Sequence, residues 1–294
     1  MRWSTLLVVL AVVAGVFAMS GRAARSGPDQ APRTPAQSAA PAVASSTPSA
    51  ARADPRAVGP PMAKASVAPA RPESIVALGD SVATGYRCGC DAFIKLVGTA
   101  RAAAEHRGVR TTNRARDGLT SAGLVQQLDD ADVSMATGTA DVDVVTIGAN
   151  DFDPTKLPRP ECARSAALAC YDAELVELHA NLTTVVRRLA GARPRPEARI
   201  VLTGYWNVFL DGAVGRARGA AYVTNSDALT RRVNGVIRDV AAQEGALYAD
   251  VYAAFKAGDP DDTRLLLPDG DHPNAAGHRV IADAVDAALG PAAG

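Results

Sequence analysis

Five strand-length segments, separated by helix-length segments, predict an α/β fold, a parallel sheet with helices on both faces. Two observations carry this expectation. Except for Val109 to Ala115, these segments have apolar, largely Val, Ile and Leu, centres, as strands covered on both faces do. The longer segments between them carry apolar residues at helical spacing and stop at glycine or proline.

The first strand is Glu73 to Leu78, closed by Gly79. Phe93 to Arg107 has helical periodicity, with Gly108 where a helix would stop. Val109 to Ala115 follows as a strand and Thr120 to Leu128 as a short helix. Val142 to Ile147 is the third strand, ended by Gly148. Asp172 to Ala190 is a long helix, stopped by Gly191 and then Pro194. Arg199 to Thr203 is the fourth strand, Asp227 to Glu244 the next helix, and Ala246 to Val251 the fifth strand. Asn274 to Leu289 closes the chain as a helix, with Asn274 as a natural N-cap.

The first seventy residues read differently. Arg2 precedes an apolar stretch from Leu6 to Met19, shorter than the ~20 residues that span a bilayer. This is a secretory signal over residues 1–20, either cleaved after Ser20 or retained as a membrane tether through residues 6–19. Either way the body is exported, secreted or held at the outer face of the membrane. Residues 21–70 contain nine prolines and sixteen alanines and no aromatic residue, the composition of an unstructured linker. Residues 71–294 form the remaining domain.

Composition excludes other classes. Residues 1–70 hold seven basic and two acidic side chains, which leaves 24 basic and 29 acidic in the body of a chain with zero net charge. A mildly acidic body in a chain with 4% aromatic residues is not a nucleic-acid binder, and 48% hydrophobic residues exclude a wholly disordered chain.

In a parallel α/β sheet the working residues lie just beyond the C-terminal ends of the strands. After the first strand stands Gly79-Asp80-Ser81, a serine on a turn at a helix N-terminus. After the second comes Asn113-Arg114-Ala115-Arg116-Asp117-Gly118, where Gly118 can offer a bare backbone N–H. After the third comes Gly148-Ala149-Asn150-Asp151, with the Asn150 amide at the sheet rim. Before the last helix comes Asp269-Gly270-Asp271-His272-Pro273, a carboxylate three residues ahead of an imidazole. Each of these also fits a turn or cap residue when taken alone.

Together, in this order, the four blocks resemble the SGNH, or GDSL-type, hydrolases, in particular secreted members of actinobacterial style. The resemblance covers residues 75–289. It implies a flavodoxin-like three-layer α/β/α sandwich with a five-stranded parallel sheet in the order 2-1-3-4-5. It implies a serine ester hydrolase in which Ser81 attacks the carbonyl, His272 moves the proton and Asp269 orients His272. The oxyanion donors would be the N–H groups of Ser81 and Gly118 and the side chain of Asn150. Asp271, adjacent to His272, is the rival for Asp269. The competing α/β-hydrolase elbow needs a second glycine where Ala83 stands, and normally follows several strands rather than the first.

The remaining signals are weaker. Cys88, Cys90, Cys162 and Cys170 form an even set, which in an exported chain reads as two disulfides. Cross-pairing between the two loops is expected, with Cys162–Cys170 as the fallback. Tyr205, Trp206 and Asn207 follow the fourth strand and are expected to contact substrate, although core packing of Trp206 and Phe209 is an equal reading. His106, His179 and His278 read as structural, and the acidic run Asp259, Asp261, Asp262 as a solvated loop. No metal site and no cofactor are expected. The expected partner is an ester substrate, whether small molecule, lipid or acylated glycan, and the protein is expected to be a monomer. Few aromatics and no long apolar lid favour short acyl esters or O-acetyl groups. A lipase or phospholipase, or a non-catalytic glycan- or acyl-binding module of the same fold, is the alternative.

Overall fold

A strand with no polar face must be covered from both sides, and the burial pattern shows which strands these are. The computed structural model describes residues 71–193, 197–258 and 261–291. The expected signal (1–20) and linker (21–70) lie outside the described residues. β1 (Glu73–Gly79) and β3 (Val142–Thr146) are buried almost throughout, whereas β2 (Val109–Asn113) alternates between half-buried and exposed as an edge strand does. With β4 (Arg199–Thr203) and β5 (Leu247–Ala249) they form, among the described residues, one five-stranded sheet in the order β2-β1-β3-β4-β5 with every pair parallel. This is the order that the family resemblance implied.

Helices cover both faces. α2 (Phe93–Glu105), α9 (Val251–Lys256) and α10 (Ala275–Leu289) pack in one layer, with α10 against both of the others. α3 (Ser121–Gln127), α6 (Asp172–Gly191) and α8 (Ala220–Glu244) form the other, α6 lying between its two neighbours. The core between them is aliphatic, with Ile75, Leu78, Val144, Leu178, Leu182 and Val233 all at most 1% exposed. Among the described residues no helix is long and apolar enough to cross a membrane.

Several boundaries differ from expectation for local reasons. α2 stops at Glu105 rather than Arg107, because His106 adopts a left-handed φ of 51° and caps it. β2 ends at Asn113, whose side chain accepts from the Ala115 amide and donates to the Ala83 carbonyl, turning the chain out of the sheet. β5 is only three residues long, since the Asp250 carboxylate caps α9 through the Ala253 amide. α8 begins seven residues before the expected Asp227, at Ala220. α4 (Ala131–Thr139) gave no periodic signal, because only Val133 and Thr137 are buried along it.

One glycine decides how β1 ends. Gly79 has φ 132°, and a Cβ there would stand 1.8 Å from the Thr146 carbonyl oxygen. Without that side chain the strand ends close together, and the Asp80 amide reaches the Thr146 oxygen at 3.0 Å. The next residue is thereby delivered to the rim of the sheet.

Candidate active site

Ser81 opens a one-turn helix, α1 (Ser81–Thr84), directly after β1. Asp80 is its N-cap, accepting from the Val82 amide at 3.0 Å. The turn presents the Ser81 hydroxyl to His272, whose Nε2 lies 2.9 Å from Oγ. On the other side of the ring, Nδ1 lies 3.0 Å from Asp269 Oδ2. Asp271 Oδ2 stands 3.7 Å from the same nitrogen, outside hydrogen-bond distance. An imidazole with a carboxylate on one nitrogen and a hydroxyl on the other can take the hydroxyl proton and carry the resulting charge.

The loop holding Asp269 and His272 is fixed mostly by its own backbone. Asp269 Oδ1 accepts from the amides of Asp271 (3.1 Å) and His272 (3.0 Å). The Leu267 amide donates to the His272 carbonyl, and the Asp211 amide to the Gly270 carbonyl, both at 2.8 Å. Asn274 closes the loop, capping α10 through the Ala276 and Gly277 amides and donating to the Arg264 and Leu266 carbonyls. Tyr86 packs its ring on His272 at 4.8 Å between centroids. Burial alone would raise the Asp269 carboxyl, but the two amides and the imidazole outweigh it and hold it below its ordinary value. Burial, with the Asp269 charge adding to it, pushes the Asp271 carboxyl up to about 6 against the opposing pull of His272.

The second and third sequence blocks meet at the same rim. The Arg114 and Arg116 amides donate to the carbonyls of Ala77 and Gly79, which lays the Gly118 loop along the end of β1. Thr84 Oγ donates to Asp117 at 2.5 Å, tying that loop to α1. Gly118 is exposed at φ 71° with open space where a Cβ would stand. Asn150 is exposed and donates one amide hydrogen to the Leu119 carbonyl at 3.1 Å, so its second hydrogen is available to a ligand. Asp151 accepts from the amide and hydroxyl of Ser121, which anchors this block to the start of α3.

The sequence of this rim decides the family. The sequence model of the GDSL-like lipase/acylhydrolase family matches residues 77–280, and this span runs from β1 to the last helix. The chain belongs to the GDSL-like lipase/acylhydrolase family. It is accordingly a carboxylic ester hydrolase. Its fold is similar to that of the lipase Lip_vut3 from a goat rumen metagenome, with a TM-score of 0.59, 16% identity, and coverage of 74% of this chain and 97% of the other. It is also similar to Axe2, an acetylxylan esterase from Geobacillus stearothermophilus, with a TM-score of 0.54, 19% identity, and coverage of 74% and 94%. A search of the curated proteins gives no match.

Within this GDSL-type hydrolase, two groups of expected site residues lie elsewhere than the sequence suggested. Tyr205, Trp206 and Asn207 are packed inside rather than standing at the rim; they are at most 1% exposed. Trp206 stacks on Phe255 at 4.7 Å, and Asn207 binds Ser226 at 2.9 Å, because the segment after β4 turns inward under α8 and α9. The cysteines pair locally, Cys88 with Cys90 and Cys162 with Cys170, rather than across the two loops. Gly89, at φ 62°, folds the first pair onto itself, and a short helix at Pro160–Ala163 followed by a 3₁₀ turn brings the second pair to 5.2 Å between Cα atoms. One smaller reading also changes. Asp262 is fully buried and paired with Lys256 at 2.6 Å instead of solvated, while Asp259 lies outside the described residues. His106 and His179 are exposed and half-buried, but His278 is fully buried, and burial pushes its imidazole down to about 4, with the charge of His272 adding to the effect.

Asp80 and Tyr205, 125 residues apart and joined by no sequence motif, form one unit beneath Ser81. The Tyr205 hydroxyl donates to Asp80 Oδ2 at 2.5 Å, and both residues are fully buried. Burial pushes the Asp80 carboxyl up to about 7, although Tyr205 and the Val82 amide pull the other way. The folded chain therefore holds one more proton than the unfolded chain between the ordinary value of 3.8 and about 7. Stability from this group is complete below the ordinary value and is lost as the pH rises through about 7, at most about 4 kcal/mol. Asp80→Asn stays neutral at every pH. Its melting temperature is expected to fall less than that of wild type between about pH 5 and about pH 8. Thermal melts at both pH values check this, and equal falls would remove the assignment.

Proposed function

We propose that this protein is an exported serine ester hydrolase acting on short acyl esters or O-acetyl groups. The observation that carries the reading is the continuous chain from Ser81 Oγ through His272 to Asp269, at 2.9 and 3.0 Å. Ser81 Oγ adds to the ester carbonyl as His272 Nε2 takes its proton. The ionised Asp269 holds the imidazolium by its Nδ1 hydrogen. His272 then returns the proton to the departing alcohol, leaving an acyl-Ser81 ester. Water repeats the sequence and releases the acid. The oxyanion is held by the N–H groups of Ser81 and Gly118 and by the free amide hydrogen of Asn150.

The short-chain preference draws on the surface. Among the described residues, the large apolar side chains standing exposed are Met135 and Val176, which make no long acyl groove. The acetylxylan esterase neighbour is in keeping with this reading. Export draws on Arg2 and the apolar run from Leu6 to Met19. Two disulfides suit an oxidising compartment.

Hydrolysis of p-nitrophenyl esters from acetate to palmitate by the full chain tests the reading. The rate is expected to be greatest at acetate or butyrate and to fall with chain length; an optimum at palmitate would overturn the short-chain assignment in favour of a lipase. In the same assay Asn150→Ala is expected to lower kcat by about 10²–10³ with KM nearly unchanged, since its amide acts when charge develops. A change confined to KM would place Asn150 in ground-state binding instead.

A further inference from the structure

The loop after α1 gathers three soft donors that ester hydrolysis does not use. Cys88 Sγ, Cys90 Sγ and a ring nitrogen of His278 all lie within 4.8 Å of one another. The cysteines come from one turn, where Arg87 and Gly89 both take left-handed φ values of 53° and 62°. The histidine comes from the first turns of α10, nearly two hundred residues along the chain, with its ring against Phe93. It is 0% exposed, and among the described residues neither of its ring nitrogens has a hydrogen-bond partner. Such a buried, unpaired polar group is costly. A disulfide sulfur has no hydrogen to offer it. A cation shared with two thiolates would occupy the imidazole lone pair.

We propose that Cys88, Cys90 and His278 form a soft-metal site, filled when a low-molecular-weight thiol opens the Cys88–Cys90 disulfide. Two thiol molecules are oxidised to their own disulfide as Cys88 and Cys90 become free thiols. A divalent cation then binds both sulfurs and the imidazole nitrogen, displacing the two thiol protons. Two thiolates and one imidazole suit Zn²⁺ or Cd²⁺ over the hard cations Mg²⁺ and Ca²⁺, with water as a fourth ligand. Access is open, because both cysteines are half-buried and Gly89 between them is exposed. The other pair differs: Cys162 is fully buried, and the only such donor group among the described residues is the one containing His278.

The test titrates the thiol-reduced, desalted full chain with Co²⁺ without oxygen, then adds Zn²⁺. A single equivalent should give thiolate-to-cobalt charge-transfer absorption with tetrahedral ligand-field bands, and Zn²⁺ should bleach both. Cys88→Ser/Cys90→Ser should lose the signal and Cys162→Ser/Cys170→Ser should keep it. His278→Gln should weaken binding at least about tenfold. Should that variant lose its far-UV circular dichroism, X-ray absorption on Zn²⁺-loaded wild type reads the ligands directly. The expected shell is two sulfurs at about 2.3 Å with nitrogen at about 2.0 Å. No signal in the reduced wild type, an undiminished signal in Cys88→Ser/Cys90→Ser, unweakened binding by a folded His278→Gln, a four-sulfur shell, or loss of fold on reduction would each overturn the proposal.

Discussion

Ser81→Ala is expected to abolish ester hydrolysis, lowering kcat by about 10⁶, or roughly 8 kcal/mol of activation free energy. In the proposed mechanism the hydroxyl supplies the bond-forming atom, and it stands 2.9 Å from His272 Nε2. The fold should not notice the change. α1 is held by the Asp80 carboxylate on the Val82 amide and by the Tyr86 amide on the Ser81 carbonyl, and neither uses the Ser81 side chain. Melting should therefore stay within about 0.5 kcal/mol of wild type. Turnover of p-nitrophenyl acetate by the variant, alongside its thermal melt, checks both halves. A folded and active Ser81→Ala would sink the serine mechanism while leaving family membership untouched.

Asp269→Asn is expected to cost about 10⁴ in kcat. The cause is a tautomer. The carboxylate accepts the Nδ1 hydrogen and so leaves the lone pair on Nε2, facing Ser81. An amide hydrogen at the same place would make Nδ1 the acceptor and put the ring hydrogen on Nε2, where a base is needed. Asp271→Asn is the matched comparison, and it should change kcat by less than about tenfold. Its oxygen stands at 3.7 Å against 3.0 Å for Asp269, and it makes neither of the two loop bonds to the Asp271 and His272 amides. Steady-state kinetics of the two variants decide between the acids. A larger loss at Asp271 would reverse their roles.

The strands were legible because each is a short-range signal. Apart from Asp143, Val142 to Thr146 is β-branched throughout and is bounded by Gly148, so its place inside the sheet follows largely from its own residues. The same holds for Asn274, whose capping bonds reach only two and three residues ahead. The Asp269–His272 contact is also local, spanning one tight loop. Where burial depends on a distant partner, reading from sequence failed. Tyr205 and Trp206 look like rim aromatics until α8 and α9 close over them. α4 was missed for the opposite reason, since it buries too little to leave a periodic trace.

By itself, then, the sequence determined the order of the five strands and of α2, α3, α6, α8 and α10, the four blocks at the strand ends and the family to which they belong. Turns, caps and strand burial are set within a few residues, and those are printed in the chain. Only the tertiary structure decided that His272 meets Ser81 across 191 residues, that the cysteines pair within their own loops, and that Asp80 shares a buried hydrogen bond with Tyr205. Each of these rests on which side chains long-range packing removes from water together, and no local pattern encodes that choice.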